Sequence, residues 1–433
     1  MAREMKDSGI AWIGIIPETW DIIKFKYVFS IIGGNGFPDS LQGNTQGDYP
    51  FCKVSDINGQ SEYVKTATNW VTQEIVDINK FNIIPPNSIL MAKIGAALAK
   101  NHRKINVLKC CIDNNTQALV LKRNDSIRYL FYLSKCLDMS WFDNNSTVPS
   151  INNNRLLNFF IPNISYNEQE KISSYLDIQC TRIDAVMEQT RASIEEYKKL
   201  KQAVITQAVT KGIRPNRQMK DSGVDWIGEI PVDWDLLRKL SYACNKNISY
   251  GIVKLFDPDD EHGVKVLRCS DIREGIIDTS NIRTVTQDIS NEYSRTILDG
   301  GEVLINIRGT LGGCAVVPKE MKGYNIAREV AMVSTNNTLN NRFLMYYFLS
   351  DTFLTYEEMN LAGSVYIGLN IELLSACPIL LPSIFEQIEI ANYLDSKCSE
   401  INALIAKKEC FIQELEKYKK SIIFEYVTGK KGV

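Results

Sequence analysis

The 433-residue sequence predicts an α+β protein with two globular domains, related by a pseudo-two-fold axis and separated by two long helices that form an antiparallel coiled coil. Three observations support this fold class: a motif that occurs twice, a second repeated segment with a heptad-like apolar pattern, and short strand-like runs between the repeats. The composition, 45% hydrophobic and 23% charged, is typical of a globular protein. Because no apolar run is long enough to span a bilayer, we expect a cytoplasmic protein.

The repeat defines the organisation of the chain. The stretch MKDSGIAWIGIIPETW at residues 5–20 returns as MKDSGVDWIGEIPVDW at residues 219–234, and EQEKISSYLD at 168–177 returns as EQIEIANYLD at 386–395. A period this long indicates duplication of a whole domain with its spacer, not a solenoid. The predicted division is a first domain at 1–160, a first helical segment at 161–214, a second domain at 215–380 and a second helical segment at 381–433.

Both helical segments carry apolar residues at alternating spacings of four and three. A sustained period of 3.5 residues is typical of coiled coils, and two helices related by a two-fold axis would lie antiparallel. The alternative is two separate helices, each buried against its own domain. The predicted seam comprises Ile172, Leu176, Ile183, Val186, Tyr197, Leu200 and Val204 in the first segment and Ile390, Leu394, Ile401, Leu404, Phe411, Leu415, Tyr418 and Ile422 in the second.

The regions between the repeats read as strands and short helices. Strand-like runs, separated by Gly, Asn and Pro, occupy 49–57, 88–94 and 117–121 in the first domain and 264–272, 302–307 and 330–333 in the second. Asp56 and Asp271 recur within an SDI triplet in both domains, which favours a turn or capping role for them. Most other residues differ, as expected of two domains with one frame that bind two different targets.

Several kinds of chemistry find little support in the sequence. Eleven scattered cysteines and only two histidines argue against a zinc site. There is no GxxxxGK[ST] phosphate loop and no motif of the amino-methyltransferases. Asp299 with Glu320 and Lys322 fits a loose D…ExK nuclease spacing, but such a pattern arises readily by chance. We therefore expect no catalytic residues and no metal.

Together these motifs resemble the specificity subunit of type I restriction-modification enzymes, over the whole chain. The resemblance is carried by the DSG-x-x-WIG-x-IP-x-x-W opening, by KVSDI and RCSDI, by SILMAKIG and EVLINIRG, and by EQ-x-x-I-x-x-YLD. Each motif alone is weak, but the ordered set occurs twice and is specific.

The resemblance implies that each domain is a target recognition domain, which reads one half of a bipartite DNA site whose gap the coiled coil sets. The helices would dock two modification (methyltransferase) subunits and, through them, restriction subunits. The chain itself would bind no cofactor, whereas the assembled enzyme would use S-adenosylmethionine, ATP and Mg²⁺. Two alternatives remain: a stand-alone DNA methyltransferase or nuclease, and a coiled-coil scaffold that binds ligands other than DNA.

Candidate DNA contacts follow from residue type. Lysine and arginine suit phosphates, whereas Arg, Asn and Gln can pair with base edges. The basic run at residues 91–109 has no acidic residue and is the best phosphate candidate. The candidates in the first domain are Lys53, Ser55, Lys93, Lys100, Asn101, His102, Arg103, Lys104, Asn114, Asn115, Gln117, Thr147 and Ser150. In the second domain they are Arg268, Ser270, Arg308, Thr310, Lys319, Lys322, Asn325, Arg328, Ser364 and Tyr366.

Overall fold

The computed structural model describes residues 3–59, 61–144, 147–253, 263–309, 312–361 and 368–433. The chain divides into two compact units. The first unit comprises residues 1–189 together with Cys410–Val433, and the second comprises Thr190–Glu409. Each unit therefore holds one globular domain and parts of both long helices.

The first half of the chain is an α+β domain followed by a long helix. Its strands are β1 Met5–Asp7, β2 Ile15–Pro17, β3 Asp21–Lys24, β4 Phe29–Gly33, β5 Tyr49–Cys52, β6 Tyr63–Val64, β7 Asn69–Val71, β8 Ile89–Ala92, β9 Arg103–Asn106, β10 Cys111–Ile112, β11 Thr116–Leu121 and β12 Phe160–Asn163. Its helices are α1 Val54–Ile57, α2 Gln73–Asn79, α3 Ile127–Cys136, α4 Asn153–Leu157 and α5 Tyr166–Lys211. A five-stranded sheet, in the order β4-β11-β8-β9-β6, adjoins a three-stranded sheet, β10-β5-β7.

The second half repeats this plan. Its strands are β13 Met219–Asp221, β14 Glu229–Pro231, β15 Asp235–Leu237, β16 Ser249–Tyr250, β17 Val264–Leu267, β18 Ile272–Arg273, β19 Ile276–Ile277, β20 Arg283–Val285, β21 Val303–Asn306, β22 Cys314–Val316, β23 Asn325–Ile326, β24 Val330–Val333 and β25 Ile379–Leu381. Its helices are α6 Gln287–Glu292, α7 Asn341–Phe348, α8 Asp351–Leu361, α9 Ile371–Ala376 and α10 Ile384–Val427. The sheets β16-β24-β21-β22 and β20-β17-β23 correspond to those of the first half.

Two unusual structural features occur in both domains: a parallel strand pair and a glycine packed directly against another backbone. The parallel pair β5–β10 returns as β17–β23, among pairings that are mostly antiparallel. In both domains a glycine passes very close to another backbone: a Cβ atom on Gly34 would lie 1.9 Å from the carbonyl oxygen of Asp113, and one on Gly251 would lie 1.8 Å from that of Ile326. Only glycine can occupy these two positions, which explains part of the glycine-rich run at 33–36.

The long helices pair with each other inside each unit. In the first unit, the ring centroids of Tyr175 and Tyr426 are 4.6 Å apart, and the Lys419 ammonium lies 2.7 Å from the Asp184 carboxylate. Since the numbering rises along α5 as it falls along α10, the pairing is antiparallel. The same helices also pack on the domain cores, through Leu176 in the first unit for example. Both of the arrangements considered from the sequence are therefore present together. Among the described helices, none is long and apolar enough to cross a membrane.

The four-three spacing predicts two rows of buried apolar residues along each helix. The structure confirms one row and places the other one residue later than predicted. Ile172, Leu176, Ile183, Ile390, Leu394, Ile401 and Ile422 are buried, and Tyr197, Val204 and Leu415 are partly buried. Five predicted seam residues are instead exposed, by 40 to 56%: Val186, Leu200, Leu404, Phe411 and Tyr418.

The row that is buried instead runs one residue later: Met187 directly follows Val186, and Cys180 and Ile194 lie seven residues to either side of Met187 on α5, while Cys398 is buried on α10. The physical reason is that α5 first packs on its own domain, where contacts recur every four residues, at 172, 176 and 180. The helix-to-helix seam begins only after these contacts with the domain. The second buried row of the seam therefore lies one residue later than a strict four-three pattern predicts.

Candidate nucleic-acid interface

Three strands of the first domain end at one edge and bring several predicted residues together. Lys53 follows β5, Lys93 follows β8, and Asn115 lies just after β10. The amide of Lys93 donates to the carbonyl of Asn115 over 2.7 Å, and the carbonyl of Lys93 accepts from the amide of Ile151 over 3.1 Å. We define the first rim as Lys53, Ser55, Lys93, Asn114, Asn115 and Ser150.

Lys53 is positioned from two directions. Its amide donates to the Asp56 carboxylate over 2.7 Å, and its ammonium lies 4.9 Å from the centre of the Phe37 ring, a distance typical of a cation–π interaction. The predicted capping role of Asp56 is therefore confirmed, and Asp271 repeats it by accepting the amide of Arg268 over 2.9 Å. Sequence reasoning missed Phe37, whose only signal is its place after the glycine-rich run.

The second domain builds the same edge. Arg268 follows β17, Arg308 lies just after β21, and Arg328 follows β23. The amide of Ile307 donates to the carbonyl of Glu329 over 2.9 Å, which is the counterpart of the Lys93–Asn115 bond in the first domain. We define the second rim as Arg268, Ser270, Arg308 and Arg328.

The charged groups are held differently at the two rims. The Arg268 guanidinium donates to the Asp271 carboxylate over 2.9 Å and to the carbonyl of Asn281 over 2.7 Å. The hydrogen bond that Arg268 donates to Asp271 raises the pKa of Arg268, although partial burial opposes this change. Arg308 and Arg328 are exposed. The second rim thus has one fixed cation and two with exposed side chains.

Four predicted DNA contacts are instead buried: Arg103, Lys104, Gln117 and Asn325. The Arg103 guanidinium donates to the Asn101 side chain and to the carbonyl of His102, both over 2.8 Å, and burial lowers its pKa to about 10. Asn325 accepts from the Thr296 hydroxyl over 2.8 Å and donates to that of Ser290 over 3.0 Å.

Arg103 and Asn325 thus satisfy polar groups of the protein interior, and Lys104 and Gln117 are 5% and 0% exposed, so the structure does not present these four side chains to DNA. Asn101, which is partly buried, is engaged within the protein as well: its amide donates to the carbonyl of Leu137 and its oxygen accepts from Arg103.

Comparison with known proteins decides the family. The model of the type I restriction modification DNA specificity domain matches residues 17–196 and 239–415. The chain belongs to this family. It is 24% identical over 426 residues to the type I restriction enzyme MjaVIII specificity subunit of Methanocaldococcus jannaschii, a match that covers 96% of this chain and 93% of the relative. It is 25% identical over 444 residues to the EcoBI specificity subunit of Escherichia coli, covering 96% and 88%.

Solved structures show the same fold. A chain from a study titled as the structural basis of complex assembly and conformational transition of the type I R-M system matches with a TM-score of 0.69 at 16% identity, over 96% of this chain and 99% of the other. The HsdS subunit from Thermoanaerobacter tengcongensis matches with a TM-score of 0.51 at 17% identity, over 96% and 98%. The two domains are thus the target recognition domains of a specificity subunit.

The two rims of the target recognition domains do not include the remaining candidates. Lys100 and His102 are exposed in the loop between β8 and β9. Partial burial, with the charges of Lys100 and Lys104, lowers the pKa of His102. Thr147 is exposed close to Ser150 of the first rim. Thr310, Ser364 and Tyr366 fall outside the described residues.

The D…ExK pattern of the second domain forms ion pairs. The Asp299 carboxylate lies 3.0 Å from the ammonium of Lys246 and 3.9 Å from that of Lys322. The hydrogen bond from Lys246 lowers the pKa of Asp299. Lys322 adjoins this carboxylate and the backbone of Lys319 lies beside Gly300, both near the start of β21, whereas the second rim lies at its other end. In the part of the chain that the structure describes, no cluster of His, Cys, Asp and Glu could hold a metal ion.

Proposed function

We propose that the chain selects the DNA site of a type I restriction-modification enzyme. Each rim reads one half of an asymmetric bipartite site, and the long helices set the gap between the halves. One observation carries the proposal: the two domains share one backbone arrangement, but corresponding rim positions hold side chains that suit different bases. Asn114 of the first rim corresponds to Arg328 of the second, and these side chains suit adenine and guanine respectively.

In this proposal the chain performs no chemistry and works in the cytoplasm. It docks two modification subunits and, through them, restriction subunits. The modification subunit would flip an adenine out of the duplex to methylate it, because a stacked base is inaccessible to an enzyme. S-adenosylmethionine, ATP and Mg²⁺ would bind the partner subunits.

The long helices offer apolar side chains for this docking. Phe411 and Tyr418, seven residues apart on α10 in the first unit, are 43% and 56% exposed. A spacing of seven places both side chains on one face of a helix, as a partner helix would require. The five seam positions that proved exposed thus suit a second apolar row that faces outward.

The test is methylation mapping. The chain is expressed with its neighbouring modification subunit in a host that lacks adenine methylation, and the genome is sequenced with single-molecule detection. We expect one bipartite motif, methylated on both strands. A short continuous motif would contradict the two-domain geometry, and an assembled complex without methylation would favour the scaffold alternative.

Matched variants assign each half of the motif. Asn114→Ala should relax only one half, and Arg328→Ala only the other, because each lies on one rim. Lys319→Ala is the control, since Lys319 is exposed in the same domain as Arg328 but lies away from the second rim. If the Asn114 and Arg328 variants altered the same half, the assignment of one half-site to each domain would be wrong.

A further inference from the structure

A cluster of polar contacts ties the first domain to its long helix. The Asp177 carboxylate on α5 accepts hydrogen bonds from the Arg128 guanidinium and, over 2.7 Å, from the Tyr132 hydroxyl, both on α3. Gln169, eight residues before Asp177 on α5, accepts a hydrogen bond from the amide of Ser126 at the start of α3 over 2.7 Å. We define the first clamp as Arg128, Tyr132, Gln169 and Asp177.

The second domain repeats this cluster residue for residue. The Asp395 carboxylate on α10 accepts from the Arg342 guanidinium and, over 2.7 Å, from the Tyr346 hydroxyl, both on α7. Gln387 accepts the amide of Asn340 at the start of α7 over 2.7 Å. We define the second clamp as Arg342, Tyr346, Gln387 and Asp395.

The glutamine of each clamp also holds the chain that enters the long helix. The Gln169 amide donates to the carbonyl of Ile164 over 3.2 Å, and the Gln387 amide donates to that of Pro382 over 2.9 Å. One side chain therefore fixes the start of the domain helix and the start of the long helix together. Gln169 is 2% exposed and Gln387 is fully buried, so solvent does not compete for these bonds.

The clamps supply a property that the apolar contacts between domain and helix lack. Burial of apolar surface is strong but has no preferred direction. Charge-assisted hydrogen bonds are directional, and two donors four residues apart on one helix face fix its rotation against the partner helix. Arg128 with Tyr132, and Arg342 with Tyr346, have this spacing. The clamp therefore sets the angle at which the domain sits on its long helix.

We propose that the two clamps are positioning residues that determine which gap between the half-sites the enzyme accepts. The inference rests on the proposed function, since it needs two domains that read one site. DNA turns once in about 10.5 base pairs, so one base pair changes the angle between two half-sites by roughly 34° and their separation by about 3.4 Å. A domain that rotates by this amount on its helix accepts a gap that is one base pair longer or shorter.

The two clamps differ in the second partner of their arginine. This difference predicts which domain is loosened more when the clamp aspartate is replaced. In the first clamp Arg128 also pairs with Glu62 over 2.9 Å, and Glu62 pairs with Lys135 over 2.6 Å. In the second clamp Arg342 instead bonds to the neutral Asn392 over 2.8 Å. Loss of the aspartate should therefore loosen the second domain more than the first.

The test reads the gap directly from the genome, which contains the half-sites at every spacing. Asp177→Asn and Asp395→Asn chains are mapped by methylation beside the wild type, each with the modification subunit. We expect the wild type to methylate one gap length. The variants should keep the same half-site bases but methylate sites with the gap changed by one base pair at least tenfold above the wild-type level, more strongly for Asp395→Asn.

A purely structural role gives a different result. The thermal midpoint of the complex would then fall while the gap distribution stayed that of the wild type, and this outcome would overturn the inference. Asp177→Glu and Asp395→Glu, which keep the carboxylate, should restore much of the gap preference. If an asparagine variant does not assemble, Tyr132→Phe and Tyr346→Phe, which remove one hydrogen bond each, should broaden the gap less, and an unchanged gap in these chains would also overturn it. A wild-type chain without a bipartite motif would instead refute the proposed function.

Discussion

The opening motif of each half is anchored by the same tryptophan but by different polar contacts. Trp20 and Trp234 are both buried, and each packs beside a glycine that follows a long helix, Gly429 in the first unit and Gly212 in the second. The indole N–H of Trp234 donates to the Glu386 carboxylate over 3.2 Å. That of Trp20 has no hydrogen-bond partner among the described residues.

The arginine two residues before each opening motif shows the same difference. Arg217 bonds to Glu386 and to Asp233, and its side chain is only 12% exposed. Arg3 pairs with Glu168 over 3.0 Å and is 44% exposed. The duplicated motif thus keeps its apolar anchor in both units, whereas its polar contacts have become a buried network in the second unit alone. Identical sequence motifs need not contribute equally to stability.

The largest expected difference is between the two arginines. Arg217→Ala should reduce the free energy of unfolding of the second unit by about 3 to 5 kcal/mol, because it leaves the Glu386 carboxylate buried without its cation. Arg3→Ala should reduce the free energy of unfolding of the first unit by less than about 1 kcal/mol, since the Arg3–Glu168 ion pair is partly solvated. Urea unfolding, followed by hydrogen exchange in peptides covering residues 5–20 and 219–234, measures each unit separately.

The control for this comparison is Arg214→Ala. Arg214 pairs with Glu389 over 2.7 Å, but both side chains are more than half exposed, so its loss should change stability very little. Equal losses for Arg3→Ala and Arg217→Ala would show that burial of the second pair does not distinguish the two anchors.

A buried carboxyl group predicts a pH dependence for the second unit. Glu357 on α8 is 4% exposed, and one of its oxygens has no hydrogen-bond partner in the described structure. Burial, and the nearby charge of Glu358, raise the pKa of Glu357 from 4.5 to about 7. Between these values the folded chain binds a proton that the unfolded chain releases, so stability falls as the pH rises through this window.

Glu357→Gln removes this titration and should stabilise the second unit at pH 8 by about 3 kcal/mol, from 1.4 kcal/mol per pKa unit. At pH 4.5 the difference from the wild type should shrink below about 0.5 kcal/mol, because Glu357 is then protonated in the folded chain and about half protonated in the unfolded chain. Unfolding curves of the two chains at both pH values measure this. An equal gain at both pH values would mean that folding does not raise the pKa of Glu357.

The sequence alone predicted the features that a repeated motif or a sustained apolar pattern specifies. The duplication, the two long helices and strands such as β8 and β11 lie close to where they were expected. The seam was one residue out because Val186 and Met187 are both apolar, and only the packing of α5 on its domain decides which one is buried. Composition has no bearing on that choice.

Four candidate DNA contacts proved to be buried, which their residue type alone could not reveal. Asn325 and Arg103 have the residue type of a base or phosphate contact, but a buried polar side chain has the same type. Their partners come from distant segments, so spacing in the sequence does not reveal them. The clamps carried a usable signal, since Arg-x-x-x-Tyr at 128–132 recurs at 342–346 together with YLD in each long helix.

The smallest effect isolates the indole hydrogen bond of the second anchor. Trp20→Phe and Trp234→Phe remove the same atoms from two fully buried sites, so the loss of packing is similar in both and cancels in the comparison. Trp234→Phe also removes the donor to the Glu386 carboxylate, whereas Trp20→Phe removes an N–H that has no partner in the described part of the chain. We therefore expect Trp234→Phe to lower the free energy of unfolding of its unit by about 1 to 2 kcal/mol more than Trp20→Phe does. Urea unfolding followed by hydrogen exchange in the same peptides measures this difference. Equal losses would mean that Arg217 alone satisfies Glu386, and the second anchor would then owe its extra stability entirely to the ion pair.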